Sequence, residues 1–410
     1  MSQDIALERS PSLPSTQTVG LAFVAVMAAH AMVDALSALV PASLGLLEAR
    51  LQLGAQQTAW LMGVGPLFSG VIQPVCALVS DRYAIRSPVV LGVVLGVVGI
   101  GALGLASTFW TLAAAYAVGM IGIGMFHPVG VATAGHLWSE RRSTAVSYFF
   151  VIGMVGGVLG AFAWPRILAQ PNGFQILPML VAPILLLALL LNRSFAALKP
   201  LHAHHATDAP TDELPVAEWA MVGVLYVASV LRFCVNMSLV YLFVRWTQSY
   251  VAALHADWSL EQVAKGAAPM VGSLNAATLV GMAVGGTASG LFVRTGKEKW
   301  PMVLVPLLFS PVIALFPFVP IQAGYVLAVA AGIGFASMIP VTIALAQRLL
   351  PRRTNLASSL MMGGAWAVAL LGPACAEYGV AQLGLQNTFL LTAATLAISG
   401  LVCLVVEDRP

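Results

Sequence analysis

The residues in this chain whose types and spacing could do chemistry are few. His30 and Asp34 stand four apart, so on a helix they share one face. His127 precedes Pro128, Arg232 lies one turn before Asn236, and Gln73 precedes Pro74. A second set is cationic and sits in short polar stretches: Asp81-Arg82 with Arg86, Arg141-Arg142, Arg294 and Arg353. A carboxylate beside histidines can accept and release a proton, and a guanidinium can hold a carboxylate, phosphonate or phosphate. No Ser/His/Asp set, metal-ligand spacing or phosphate-binding glycine loop appears, so the sequence reads as no enzyme, with no cofactor and no use of ATP.

The elements that must carry these residues are membrane spans. Charged residues make up 9% of the 410 and hydrophobic ones 59%, against about 25% charged in ordinary soluble proteins. Such a chain cannot cover itself with water-facing side chains, so lipid is its main solvent. Twelve apolar segments stand out, at 18–40, 58–79, 88–107, 110–135, 144–164, 174–192, 217–244, 270–293, 301–320, 324–347, 356–376 and 387–406. Each is near the about 20 residues that cross a hydrocarbon core of about 30 Å as a helix. Helices are required there, because the bilayer offers no water to satisfy the backbone.

Charge fixes the orientation. With both termini cytoplasmic, the inside loops and tails carry fourteen Lys or Arg, and the outside loops only Arg50, Arg166, Arg245 and Lys265. The positive-inside rule selects that arrangement. Asp4, Glu8 and Arg9 precede a first span too long for a signal peptide core, so it reads as an uncleaved helix. Cys76, Cys234, Cys375 and Cys403 lie in or at the ends of spans and suggest no disulfide framework.

The chain also repeats itself. Residues 126–160 return 212 positions later, with Pro128, Val129, Arg141, Ala145, Ser147 and Gly160 matched by Pro340, Val341, Arg353, Ala357, Ser359 and Gly372. Two halves follow, 18–192 and 217–406, between a polar tail 1–17, a Pro-rich linker 193–216 and a short tail 407–410. His202, His204 and His205 in the linker form a histidine run without partner ligands, more often incidental than metal-binding.

Each polar residue within a span has two readings. The His30/Asp34 face should look into a bundle or a wet cavity, as a functional pair or as a satisfied structural one. His127 is a cavity ligand or a local partner for the carbonyl that Pro128 frees. Arg232 marks a substrate path or bridges the halves, possible partners being Asp34 or carbonyls. Asn275 and Thr278 are as suited to packing as to binding. The glycines of the fifth span, Gly153, Gly156, Gly157 and Gly160, read as a close-packing face. The cationic loops at 80–86 and 291–300 are gates or merely solvated. The stretch 246–268, with Trp246, Tyr250 and Trp258, reads as an outer loop in the headgroup belt, and Gly372-Pro373 as the end of the eleventh helix.

Two six-helix halves, a cationic loop between spans two and three repeated between eight and nine, and a polar middle linker resemble the major facilitator superfamily. Within it, His30-x-x-x-Asp34, Gln73-Pro74 through Ser80-Asp81-Arg82-Tyr83, Phe126-His127-Pro128 and the glycine run of the fifth span are similar to the fosmidomycin-resistance exporters. The chain departs from that group at Val129, where a glutamate is common, and at Gly160-Ala161, where antiporters have Gly-Pro. The resemblance implies an all-α protein of twelve transmembrane helices in two pseudo-symmetric bundles, working by alternating access around a midplane site. It further implies that the first, fourth, seventh and tenth helices line the cavity, and that Asp81, Arg82 and Arg294 latch the inner face.

Together these readings describe a secondary transporter of the inner membrane, a monomer in the lipid bilayer with a small-molecule substrate, protons as its coupling ion and no nucleic-acid partner. Export of a drug or metabolite by proton antiport comes first, and uptake of an organic anion by proton symport second. Asp34 and His30 carry the proton, Arg232, Asn236, His127, Gln73 and Asn275 bind solute, and Asp81, Arg82, Arg86, Arg141, Arg142, Arg294 and Arg353 gate. A metal carrier using His30, Asp34, His127 and nearby Met32 and Met125, or a non-transporting sensor or scaffold, are the remaining alternatives.

Overall fold

A computed structural model of the chain describes residues 16–82, 87–196, 216–351 and 353–407. Among the described residues the regular structure is helical, with no strand. The first half comprises α1 (Thr16–Ser37), α2 (Leu39–Leu51), α3 (Ala55–Arg82), α4 (Ser87–Ala102), α5 (Phe109–Leu137), α6 (Arg142–Leu168), α7 (Ile176–Met179) and α8 (Val181–Ala196). The second comprises α9 (Val216–Leu254), α10 (Leu260–Phe292), α11 (Lys299–Leu315), α12 (Ile321–Ala336), α13 (Met338–Leu349), α14 (Thr354–Ser359), α15 (Ala365–Val368) and α16 (Leu371–Leu401).

These helices account for twelve crossings. Nine apolar segments of the described residues are long enough to span, and Val89–Leu105 and Gly173–Leu186 are shorter ones. The longest segment, Leu356–Val405, is two crossings, because Gly384 turns the chain with φ +81°. That left-handed conformation favours glycine, which has no Cβ to clash. An even number of crossings leaves residues 16 and 407 at one end of the bundle, here the terminal end; the opposite one is the far end.

Glycine faces decide how closely the helices approach. A Cβ on Gly92 would lie 2.8 Å from the Gly122 carbonyl oxygen, so α4 and α5 meet backbone to backbone. Gly156 and Gly160 of α6 sit directly on the backbones of Ala31 and Ala35 in α1. Between the halves, a Cβ on Gly70 would lie 2.5 Å from the Gly363 carbonyl oxygen, where α3 crosses a π-helical turn, Leu360–Gly364. Without a hydrophobic drive in lipid, such close van der Waals contact is what holds helices together.

Two sequence expectations are corrected. The stretch 246–268 is no loop, because α9 runs to Leu254 and α10 starts at Leu260. Trp246 is buried, its ring 5.5 Å from that of Phe316, and so leaves the headgroup region for the second half's core. Gly372-Pro373 opens a helix instead of ending one: the break falls at Ala369-Leu370, and Pro373 sits in the first turn of α16, where its missing N–H costs nothing. The linker histidines His202, His204 and His205 lie outside the described residues.

Candidate functional site

The first span is broken one turn beyond Asp34. Trp164 of α6 donates its indole N–H to the Ala35 carbonyl at 2.6 Å, and the helix resumes as α2 after Ala38. Asp34, one turn before the break, lies against α5 and α6, where three of the predicted residues come together. His127 Nε2 lies 3.0 Å from Asp34 Oδ1, and His30 Nε2 lies 3.4 Å from Asp34 Oδ2. His30 is buried, its ring stacked at 3.6 Å on Phe149. Asp34 and His127 keep 19% and 30% of their side-chain surface, so the cluster opens on one side only.

The hydrogen bonds count the protons. His30 Nδ1 lies 2.8 Å from the Phe149 carbonyl oxygen, and His127 Nδ1 lies 2.8 Å from the Ile123 carbonyl oxygen. A carbonyl only accepts, so both Nδ1 atoms carry hydrogen, and each Nε2 of a neutral ring is a bare lone pair aimed at a carboxylate. Two acceptors at 3.0 Å repel unless a proton stands between them. Satisfying the His127–Asp34 contact therefore requires one added proton, as carboxylic acid or as imidazolium. His127 Nδ1 bonds Ile123 and not Gly124, whose carbonyl Pro128 frees, while its Nε2 meets Asp34.

Gly153 makes room for this cluster. A Cβ there would stand 2.6 Å from both Asp34 Oδ2 and His30 Nε2. The fifth-span glycine run thus does more than draw two helices together.

The other predicted solute ligands are elsewhere. Arg232 is 1% exposed and sits within the second half, between α9, α11, α13 and the end of the twelfth span. It donates to Thr342 Oγ1 at 3.1 Å, to the Met302 carbonyl at 3.4 Å and to Cys403 Sγ at 3.4 Å. The Met302 carbonyl is the one that Pro306, four residues on, deprives of its helical donor, so Arg232 fills a defect that proline made. Among the described residues Arg232 forms no ion pair with a carboxylate, Asp34 included. The bridge between the halves that its sequence position suggested is therefore absent, because its helix turns it toward its own bundle. Asn236 lies 4.0 Å from Met282 Sδ, Asn275 donates to Val271 of its own helix, and Gln73 packs beside Gly363 at the contact between the halves.

Of the predicted gate residues, Arg141, Arg294 and Arg353 are exposed at the terminal end. The side chains of Asp81, Arg82 and Arg142, and all of Arg86, lie outside the described residues. The charge pairing that is present was not foreseen. At the terminal end Glu298, 4% exposed, receives Arg348 at 2.6 Å, which ties the 293–298 turn to the end of α13 within one half. At the far end Arg245 Nη1 lies 2.8 Å from both oxygens of Glu48, which joins α9 to α2 across the halves. A single glutamate one turn from a helix end carries no sequence signal for this role; only the arrangement of the two halves makes it.

The sequence profile of the Major Facilitator Superfamily matches residues 21–325 and 265–410. This chain belongs to the major facilitator superfamily. Twelve crossings in two halves of six are the major facilitator fold, and the protein is accordingly a multi-pass membrane transporter of a small solute. A curated relative within the superfamily is the fosmidomycin resistance protein of Escherichia coli (strain K12), 24% identical over 355 residues that cover 85% of this chain and 84% of the relative. Similar major facilitator structures include a bacterial homologue of the human lysosomal transporter Spinster, inward-facing and occupied, with a TM-score of 0.65 at 14% identity, covering 94% of this chain and 96% of that one. Another is the nucleoside transporter NupG as its D323A mutant, with a TM-score of 0.68 at 12% identity, covering 93% and 98%.

Proposed function

We propose that this transporter is proton-coupled, exports a drug or metabolite across the cytoplasmic membrane by alternating access, and takes up its proton at Asp34, His127 and His30. The observation that carries this reading is the 3.0 Å contact between His127 Nε2 and Asp34 Oδ1, with His127 Nδ1 already donating to a backbone carbonyl. A site so built holds a proton in one state and loses its contact in another, and that is what coupling needs. His127 and Asp34 face the open side, whereas His30 is sealed behind them. A proton therefore arrives at the first two, and His30, whose bare Nε2 faces the other carboxylate oxygen at 3.4 Å, is the acceptor behind them to which it can pass. Release of that proton lets bare Nε2 and ionised carboxylate repel, which biases the helices that carry them, α1 and α5, toward a second arrangement.

Both termini face the cytoplasm in this reading, so the Glu48–Arg245 contact closes the outer side. The weak sequence likeness to the fosmidomycin resistance protein supports export as the direction. With Arg232 held inside the second half by Thr342, Met302 and Cys403, no residue of the described chain singles out an anionic solute.

The test is proton movement in proteoliposomes. Candidate antimicrobials and metabolites are added to vesicles of known internal pH, with wild type and with Asp34→Asn. A solute that drives pH change only in wild type supports the coupling. Solute flux of equal rate in both proteins, with no pH change in either, would make the transporter a uniporter.

A further inference from the structure

At the far end, away from the Asp34 cluster, the two halves leave a cleft of about 430 Å³. Arg166 and Gln170 line it from the first half, and Trp258, Gln262 and Lys265 from the second. Arg166 donates to the Phe162 carbonyl at 2.6 Å and to Ser273 Oγ at 2.9 Å, but no described carboxylate pairs with it. Lys265 pairs with Glu261 at 2.7 Å, a pair whose members are 47% and 67% exposed and so screened by water. The cleft is therefore net cationic, with one guanidinium uncompensated. The Trp258 ring, stacked on His255 at 3.9 Å, walls one side, as befits the membrane–water boundary.

On α6 an apolar stripe leads away from this cleft. Phe162, Leu159 and Val155 fall four, seven and eleven residues before Arg166, on one helical face. They are 47%, 61% and 53% exposed. Exposed apolar side chains are ordinary on a helix that faces lipid. What is particular here is a cationic cleft at the end of the stripe, shared by both halves.

We propose that this cleft binds an anionic phospholipid of the far-end leaflet, with its phosphate between Arg166 and Lys265 and one acyl chain along Phe162, Leu159 and Val155. The charges match, the amide side chains of Gln170 and Gln262 offer donors to phosphate oxygens, and head and tail lie in the order a lipid requires. Because its two cations belong to opposite halves, an occupied site favours the arrangement in which the far end is closed.

Native mass spectrometry of the full chain, released from mixed micelles with equal phosphatidylglycerol and phosphatidylcholine, reads this directly. Wild type should retain phosphatidylglycerol in preference to phosphatidylcholine. Arg166→Gln should lower that preference about fivefold, the scale of one basic side chain near a membrane surface, and Arg166→Gln with Lys265→Gln should abolish it. If Arg166→Gln does not fold, Lys265→Gln alone should lower the preference, and Arg166→Lys should keep most of it. Leu159→Ser should reduce retention too, which a site for a free anion would not show. Equal retention of the two lipids by wild type, or an unchanged preference in the double variant, overturns the proposal. So does displacement of phosphatidylglycerol by glycerol phosphate at equal concentration, which would make the ligand a soluble phosphate.

Discussion

Glu48 and Arg245 face each other across the two halves of the molecule, one Arg245 nitrogen 2.8 Å from both carboxylate oxygens, while Arg245 Nε donates to Tyr241 at 3.0 Å. Each partner keeps 17% of its side-chain surface, so the pair is largely shielded from water. A charge-assisted contact of this kind contributes about 1.5–3 kcal/mol. It joins α2 to α9 across the halves at the far end.

Glu48→Gln is expected to loosen the far end by that amount, a shift of roughly 10- to 150-fold in the closed-to-open ratio. Hydrogen–deuterium exchange at 45–54 and 244–256 should rise in Glu48→Gln, and the charge swap Glu48→Arg with Arg245→Glu should restore part of the protection. Unchanged exchange in the single variant would show that the pair does not set the closure.

Asp34→Asn removes the ionisable carboxyl that shares a proton with His127 but keeps its volume, so the variant should fold and its solute-driven proton movement should vanish. His127→Gln should show the same loss, because an amide cannot take up the proton that the imidazole can. Replacing His30 acts differently. Its Nε2 stands farther from the carboxyl, at 3.4 Å, and its ring is wedged on Phe149, so His30→Gln should slow coupling and also lower the unfolding midpoint. Proteoliposome pH traces beside melting curves separate the two effects. Full proton movement in Asp34→Asn would place the proton site elsewhere.

A single methyl group should also silence the cluster. Gly153→Ala puts a Cβ 2.6 Å from Asp34 Oδ2 and His30 Nε2, and overpacking of this kind costs about 1–3 kcal/mol. Transport should fall in this variant as far as in Asp34→Asn, although no titrating group has been changed. Gly223→Ala is the control, since a Cβ there meets nothing within 4 Å. Equal activity of both variants would mean that α1 and α6 adjust freely.

Arg232 gives the opposite expectation. Two of its three neighbours remain satisfied without it, because Thr342 Oγ1 also donates to the Met338 carbonyl and Cys403 Sγ to the Ser399 carbonyl, whereas the Met302 carbonyl loses the donor that replaced the one Pro306 lacks. Replacing a buried charge with an apolar side chain of similar size is often neutral or stabilising. Arg232→Met should therefore retain transport, with stability lowered by no more than the about 1–3 kcal/mol of the one carbonyl left without a donor. Loss of transport by a folded Arg232→Met protein would put Arg232 on the solute path.

The sequence by itself determined the solvent, the number of crossings and the repeat, because these follow from how many apolar residues stand in a row and where they recur. The apolar segments met the helices except at their ends: a polar, aromatic stretch such as 246–268 reads as a loop, although in the structure most of it belongs to two helices. The pairing of His30 with Asp34 was also legible, since a spacing of four on a helix fixes it. His127 was named as a candidate from its place before Pro128, yet nothing in the string brings position 127 to position 34. Tertiary structure decided that, by laying α5 and α6 against α1 around Asp34, with Gly153 leaving room for the cluster. It decided equally against Arg232 as Asp34's partner and for Glu48 with Arg245. Depth along a helix is readable from sequence, but which way a side chain points around it depends on what packs on each side. For an isolated Arg or Glu with no periodic neighbours, only the assembled bundle supplies that.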